Sequence, residues 1–273
     1  MRFSTALAFL FAAGVFFIAA YTSTNNPYIF FNFHATLVVL GGTFAAAAIS
    51  FGFSRLKVLA KVIIRRVIFG HKNFDPVQII KDLMNIAEAY RTRSPELKNI
   101  VNEISDPFIK EGMDAVFEQM IDPDDLIRIL RTRSLSIYAR YHEEAMKFKA
   151  LAKFPPAFGL MGAVMGMIGI MAELGNSGAS ASIGPSLALA LVGTLYGVAL
   201  ANLIILPLSE NLLDSAREIK TKNLIITEGI SLILKKRNPI ILSEELNSFL
   251  LANERLDWRK KETASTTTNN KAS

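Results

Sequence analysis

Apolar residues gather in four long blocks along this chain. Phe3 to Tyr21, Ala35 to Phe53, Phe154 to Ala172 and Ile183 to Leu208 each have the length and character of a bilayer-crossing helix, which takes about 20 mostly apolar residues at ~1.5 Å rise each. Between Phe3 and Ser54 there is no Asp, Glu, Lys or Arg. Ser23-Thr24-Asn25-Asn26-Pro27 is a cluster of turn formers and predicts the bend of a first hairpin. The other reading of the first block is a secretion signal. It runs past the usual apolar core of ~7–15 residues and is soon followed by a second apolar block, so it is read as a membrane helix. Glycine and alanine crowd the run from Phe154 to Leu208, and Gly41-Gly42-Thr43 precedes Ala45 to Ala48 in the second block. Small residues at this density predict helices that pack closely in lipid.

Between Arg55 and Lys153 the pattern changes to apolar residues recurring at three and four, the period of amphipathic helices. Ile79, Ile80, Leu83, Ile86, Ala87 and Tyr90 define one face, and Leu126, Ile129, Leu130 and Ile137 another. Asp75-Pro76, Asp106-Pro107 and Asp122-Pro123 each put an acid at an N-cap and a proline at the first helical position. After Leu208 a charged helix continues to about Lys236, and a short helix opened by Ser243 ends near Trp258. The polar stretch 261–273 predicts disorder. The fold class is therefore an all-α integral membrane protein, with four transmembrane helices and a helical cytoplasmic domain between the second and third. Its parts are a transmembrane hairpin at 1–54, the cytoplasmic domain at 55–153, a second hairpin at 154–208, C-terminal helices at 209–260 and the tail.

Composition supports a membrane rather than a soluble fold: 51% of the 273 residues are hydrophobic, and the mean hydropathy is +0.32. Arg55, Lys57, Lys61, Arg65, Arg66 and Lys72 follow the second block, and Lys147, Lys149 and Lys153 precede the third. The loops 22–34 and 175–182 carry no Lys or Arg, so both termini and the central segment read as cytoplasmic. The net charge of +6 then reflects topology and contact with inner-leaflet lipid, not nucleic acid. The absence of cysteine excludes disulfides and thiol catalysis. His34, His71 and His142 show no metal-site spacing. No phosphate-binding glycine loop or nucleophile elbow is present, so no enzyme activity, metal or cofactor is expected.

An ion-conducting helix usually holds an ionisable residue at mid-depth. None of the four blocks has one: Glu173 ends the third and Glu210 lies past the fourth. Either nothing is transported, or a partner chain supplies the carboxylate. Thr194, flanked by Gly193 and Gly197, either faces a partner helix or bonds back to a carbonyl of its own preceding turn. Pro155, Pro156 and Pro207 either bound helices or sit within them, freeing carbonyls and permitting bends.

Four ordered segments carry a family resemblance: LVVLGGTFAAAAISF at 37–51, EISDPFIKEGMDAVFEQMIDPDDLIRIL at 103–130, then PPAFGLMGAVMGMI and ALALVGTLYGVALANLIILPLSENL. Together they resemble the MotA family, the ion-channel subunit of the bacterial flagellar stator, within a group that includes ExbB and TolQ. Two helices before the cytoplasmic domain favour MotA over those two, whose role as energisers of outer-membrane transport or gliding is the alternative. The resemblance implies an inner-membrane ring of five copies around two copies of a MotB-type peptidoglycan-binding partner. That partner supplies the ion-binding aspartate, and cytoplasmic charges push on the rotor protein FliG. Pro156 and Pro207 match the family prolines linked to coupling, and Thr194 matches the threonine beside the partner's aspartate. Ala163 stands where sodium-driven relatives carry a hydroxyl, which favours H+ over Na+ as the transported ion. The resemblance places Arg93 and Glu103 at rotor-facing charges, with Arg91 close by; Ile100 and Val101 stand where relatives carry acids, and Glu96 or Glu111 is the substitute.

Overall fold

The computed structural model describes residues 3–24, 26–57, 61, 74–174 and 180–256. The tail at 261–273, Trp258 and the cations Arg65, Arg66 and Lys72 lie outside the described residues. All regular structure among the described residues is helical. Helix α1 spans Phe3–Ser23, and a short 3₁₀ turn, Pro27–Phe30, leads into α2 at 33–51, which contains a π turn at Leu37–Gly41. Then come α3 (Pro76–Arg91), α4 (Leu97–Glu103), α5 (Pro107–Glu118), α6 (Pro123–Ala150), α7 (Phe154–Glu173), α8 (Ser180–Ala199), α9 (Leu206–Leu234) and α10 (Pro239–Asn247). Three helical stretches among the described residues are long and apolar enough to cross a membrane: Pro27–Phe51, Pro123–Glu173 and Ile183–Leu234.

The chain divides into two compact units: residues 1–72 with 141–214, and residues 73–140 with 215–273. These boundaries differ from the sequence-based ones, which set 209–260 apart. The reason is packing: Ile225, Ile226 and Ile230 of α9 and Leu242 and Leu246 of α10 are buried with Ile80, Leu83, Ile109, Met113 and Leu130 in one core. Within this unit the expected caps form. Asp75 accepts from the Val77 and Gln78 amides at 3.0 and 3.2 Å, and Asp106 accepts from Phe108 at 2.8 Å. The other Asp106 oxygen pairs with Lys222 at 2.6 Å, tying the start of α5 to α9. Of the predicted apolar faces, Ile79, Ile80, Leu83, Ile86, Leu126 and Leu130 are buried, whereas Ile129 points outward at 39% exposure. The last helix begins at Asn238, whose side chain caps Ile240 at 2.9 Å. Ser243, expected to open it, instead lies buried one turn in and donates to the Ile240 carbonyl.

The first unit is organised by the antiparallel pair α7 and α8. Their contact is backbone on backbone. A β-carbon on Gly159 would lie 2.8 Å from the Gly193 carbonyl oxygen, one on Gly166 2.4 Å from that of Ser186, and one on Gly197 2.4 Å from that of Pro155. Such approach is open only to glycine, and in lipid it replaces the hydrophobic drive that helices lack there. Helix α2 packs on the same pair. The Phe158 ring occupies the space a Gly42 side chain would need, Val38 reaches Gly162, and Ala35 reaches Gly193.

The long helices are not uniform. A 3₁₀ turn, Leu151–Lys153, joins α6 to α7 immediately before Pro155 and Pro156. A π turn, Leu200–Ile205, joins α8 to α9 immediately before Pro207. Each proline lacks the amide that would close the turn before it, so the hydrogen-bond ladder shifts register there.

Two outcomes check this packing. Gly166→Ala should lower the stability of the detergent-solubilised protein by about 1–3 kcal/mol through overpacking. Gly162→Ala, whose β-carbon would meet atoms at an ordinary 3.7 Å, should stay within about 0.5 kcal/mol, read as thermal unfolding midpoints. In the other unit, burial and then the neighbouring Asp106 raise the Asp82 carboxyl above its ordinary value, against the lowering effect of the Gln78 hydrogen bond. A raised carboxyl binds its proton more tightly folded than unfolded, so its contribution to stability improves toward acid and worsens as pH rises. Asp82→Asn should therefore gain stability relative to the parent at about pH 7 and lose that gain at about pH 4, as read by denaturant midpoints.

Candidate functional site

Thr194 and Ala163 line the same groove, a cavity of about 540 Å³ between α7 and α8, together with Met167, Leu187, Leu191 and Val198. The Thr194 hydroxyl donates to the Ala190 carbonyl at 3.0 Å and stands 3.4 Å from the Gly159 carbonyl on the facing helix. The bond back to its own helix is thus formed, and the same hydroxyl sits at the contact between α7 and α8. A hydroxyl whose proton goes to a carbonyl offers its lone pairs to whatever enters the groove. The wall it belongs to is otherwise apolar, with a methyl at Ala163 and thioether and branched carbons around it.

The prolines lie away from this pair. Pro156 packs on α8, where a β-carbon on Gly197 would fall 3.1 Å from the Pro156 Cα. Pro207 follows Thr194 by thirteen positions, about 20 Å along a helix. It does not end that helix, which continues to Leu234. The 3₁₀ turn and the π turn face each other, with Leu151, Ala152 and Ile205 buried together beside Ala47 and Phe148. Just outside them Lys149 pairs with Glu210 at 2.6 Å, bridging α6 and α9. Both partners are well exposed, so the pair contributes at most about 1 kcal/mol.

In the other unit Arg91, Arg93, Glu96 and Glu103 are all exposed. Arg91, Arg93 and Glu96 lie at the connection from α3 to α4, and Glu103 ends α4. Arg93 adopts φ +53°. The Arg93 amide donates to the Tyr90 carbonyl and the Ser94 amide to that of Ala89, the paired bonds of a Schellman helix end. Glycine is the usual occupant of that position. Val101 is buried and Ile100 packs against the same core, so the two places where acids were missing are positions that hold α4 onto the unit. Glu111 is engaged with Arg133 across α5 and α6. No group of metal-ligating side chains occurs among the described residues.

Sequence reasoning overlooked Tyr196. Its hydroxyl donates to the Phe30 carbonyl in the turn of the first hairpin. The available signal was a polar tip in an otherwise apolar helix, which needs a partner when buried.

Residues 100–223 match the model of the MotA/TolQ/ExbB proton channel family. Motility protein A of Treponema phagedenis is 30% identical over 224 residues, covering 81% of this chain and 83% of that protein. The chain belongs to the MotA family. Motility protein A of Borreliella burgdorferi is 28% identical, over 86% of this chain and 88% of its own length. The structure of the flagellar MotAB stator complex from Bacillus subtilis superposes with a TM-score of 0.79 at 20% identity, covering 93% of this chain and 99% of that one. Membership of the MotA family, with its long apolar helices, makes this a multi-pass membrane protein.

Arg93 gives a test that separates stability from function. A non-glycine residue held at positive φ costs about 1 kcal/mol, and such strain gathers at functional positions. Arg93→Gly should raise the unfolding free energy by about 0.5–1 kcal/mol while reducing motor torque, measured by denaturation and by tethered-cell rotation.

Proposed function

We propose that this chain is a flagellar motor stator subunit which, with a MotB-type single-helix partner, forms a proton-conducting channel and turns ion flow into torque. The observation that carries this reading is the α7–α8 wall: a groove with one inward hydroxyl, Thr194, and no ionisable group along the apolar blocks that form it. A carboxylate brought by the partner's helix completes such a wall, and the relatives are motility proteins rather than outer-membrane energisers.

In this reading four helices, the apolar α1 included, cross the inner membrane with both termini in the cytoplasm. Five copies surround two copies of the partner, which is anchored in peptidoglycan. The ion meets the partner's aspartate beside Thr194. Hard cations require several oxygen ligands, and the groove offers one hydroxyl with a methyl at Ala163, so the ion is a proton. Each charge crossing yields about 2.3 kcal/mol per 100 mV. That energy suits small-residue contacts that slide, and the paired turns beside Pro156 and Pro207 are where the helices yield. Arg91, Arg93, Glu96 and Glu103 then act on the rotor protein FliG.

Swimming in soft agar tests the site. Thr194→Ala and Pro207→Ala should each abolish or strongly reduce spreading at unchanged membrane abundance; normal spreading by both overturns the assignment. A deletion strain complemented with the parent gene should swim equally with and without sodium. Ala163→Thr, which adds a second hydroxyl to the groove, should introduce sodium dependence.

A further inference from the structure

The structure assigns to Tyr196 a positioning role: its hydroxyl on the Phe30 carbonyl fixes the rotation of α8, and with it the direction in which Thr194 presents its hydroxyl. This rests on the reading of Thr194 as part of the ion pathway.

Two residues apart on a helix means a turn of about 200° and about 3 Å of rise. Tyr196 and Thr194 therefore leave α8 on opposite sides. Thr194 faces the groove with α7, whereas Tyr196 reaches the first hairpin. On the α7 side the contact near Thr194 is glycine against main chain, at Gly159, Gly193 and Gly197, with the Ala190 and Ser186 side chains against Gly166 and Gly169 further along. Across that seam the Thr194 hydroxyl is held only by its long 3.4 Å approach to the Gly159 carbonyl. On the other side α8 borders an apolar cavity of about 630 Å³ that Tyr196 shares with Ala12, Val39 and Leu203. Apolar walls do not fix an angle; a hydrogen bond to a main-chain carbonyl does. The acceptor is itself held, because the Phe30 turn begins at Asn26, whose side chain caps the Tyr28 amide, and is followed by Asn32, which caps Ala35 at 3.0 Å. Rolling α8 to break the Tyr196 bond would swing Thr194 away from Gly159 and Ala163.

Tyr196→Phe keeps the ring and removes the bond. In cells carrying the full stator, membrane abundance should match the parent. Tethered-cell speed should fall roughly three- to tenfold, the range a single net hydrogen bond supports. Speed against external pH should also change shape, because a misdirected hydroxyl alters ion binding rather than the number of working motors. In a Thr194→Ser background, where the hydroxyl already turns freely, adding Tyr196→Phe should shift the profile less than it does in the parent. Parental speed and profile in Tyr196→Phe, an abundance loss that accounts for the slowing, or strictly additive effects in the double variant overturns the inference. If Thr194→Ala itself retains parental speed, the site reading falls and this inference with it. If Thr194→Ala is impaired while Tyr196→Phe is not, only the positioning role is lost.

Discussion

The main-chain contact between α7 and α8 constrains everything else in the membrane unit. At Gly159, Gly166 and Gly197 a β-carbon would stand 2.4 to 2.8 Å from a carbonyl oxygen of the facing helix, a distance no side chain tolerates. Helices that close leave no room for side-chain interlocking and take their stability from dispersion over matched backbone surfaces. A charge within that seam would demand solvation the seam cannot give. The missing carboxylate and the excess of glycine are two results of one packing solution.

Two irregular turns lie where this contact ends. A pair of straight helices in main-chain contact transmits displacement along its length but does not bend. The 3₁₀ turn at Leu151–Lys153 and the π turn at Leu200–Ile205 lie at the end of the seam, each followed by proline and each packed on the other. Because the irregular turns are paired, a change in one ladder is felt by the other. Beyond them α9 continues unbroken to Leu234, where Ile225, Ile226 and Ile230 are core residues of the other unit.

Much of this was legible in the residues, and the limits have physical causes. The Asp-Pro pairs marked helix starts because capping and a fixed φ act within one turn, as Asp75 and Asp106 show. The faces of α3 and α6 followed from period, but Ile129 escaped because period gives a direction and not the width of the neighbour that covers it. The burial of Ile225 and Leu242 with Ile80 and Leu83 joins segments over a hundred residues apart, which local period and composition do not express. Ser243 looked like a cap because serine usually is one; Asn238 before Pro239 carried the stronger signal. In the site, Thr194 stood out as a hydroxyl between two glycines and Ala163 came from the resemblance; their sharing of one groove is a property of the α7–α8 register that spacing alone does not fix.

The residues around the exposed charges between α3 and α5 follow from the same reasoning. Ile100 and Val101 serve the core, so α4 can display charge only on its outer side and at its ends, where Glu96 and Glu103 lie. Arg93 precedes α4 in a left-handed conformation that glycine would adopt at lower cost. A chain free to place glycine there and placing arginine instead accepts that strain for the sake of the side chain. The charge is therefore held by a hydrogen-bonded helix end rather than on a loose loop.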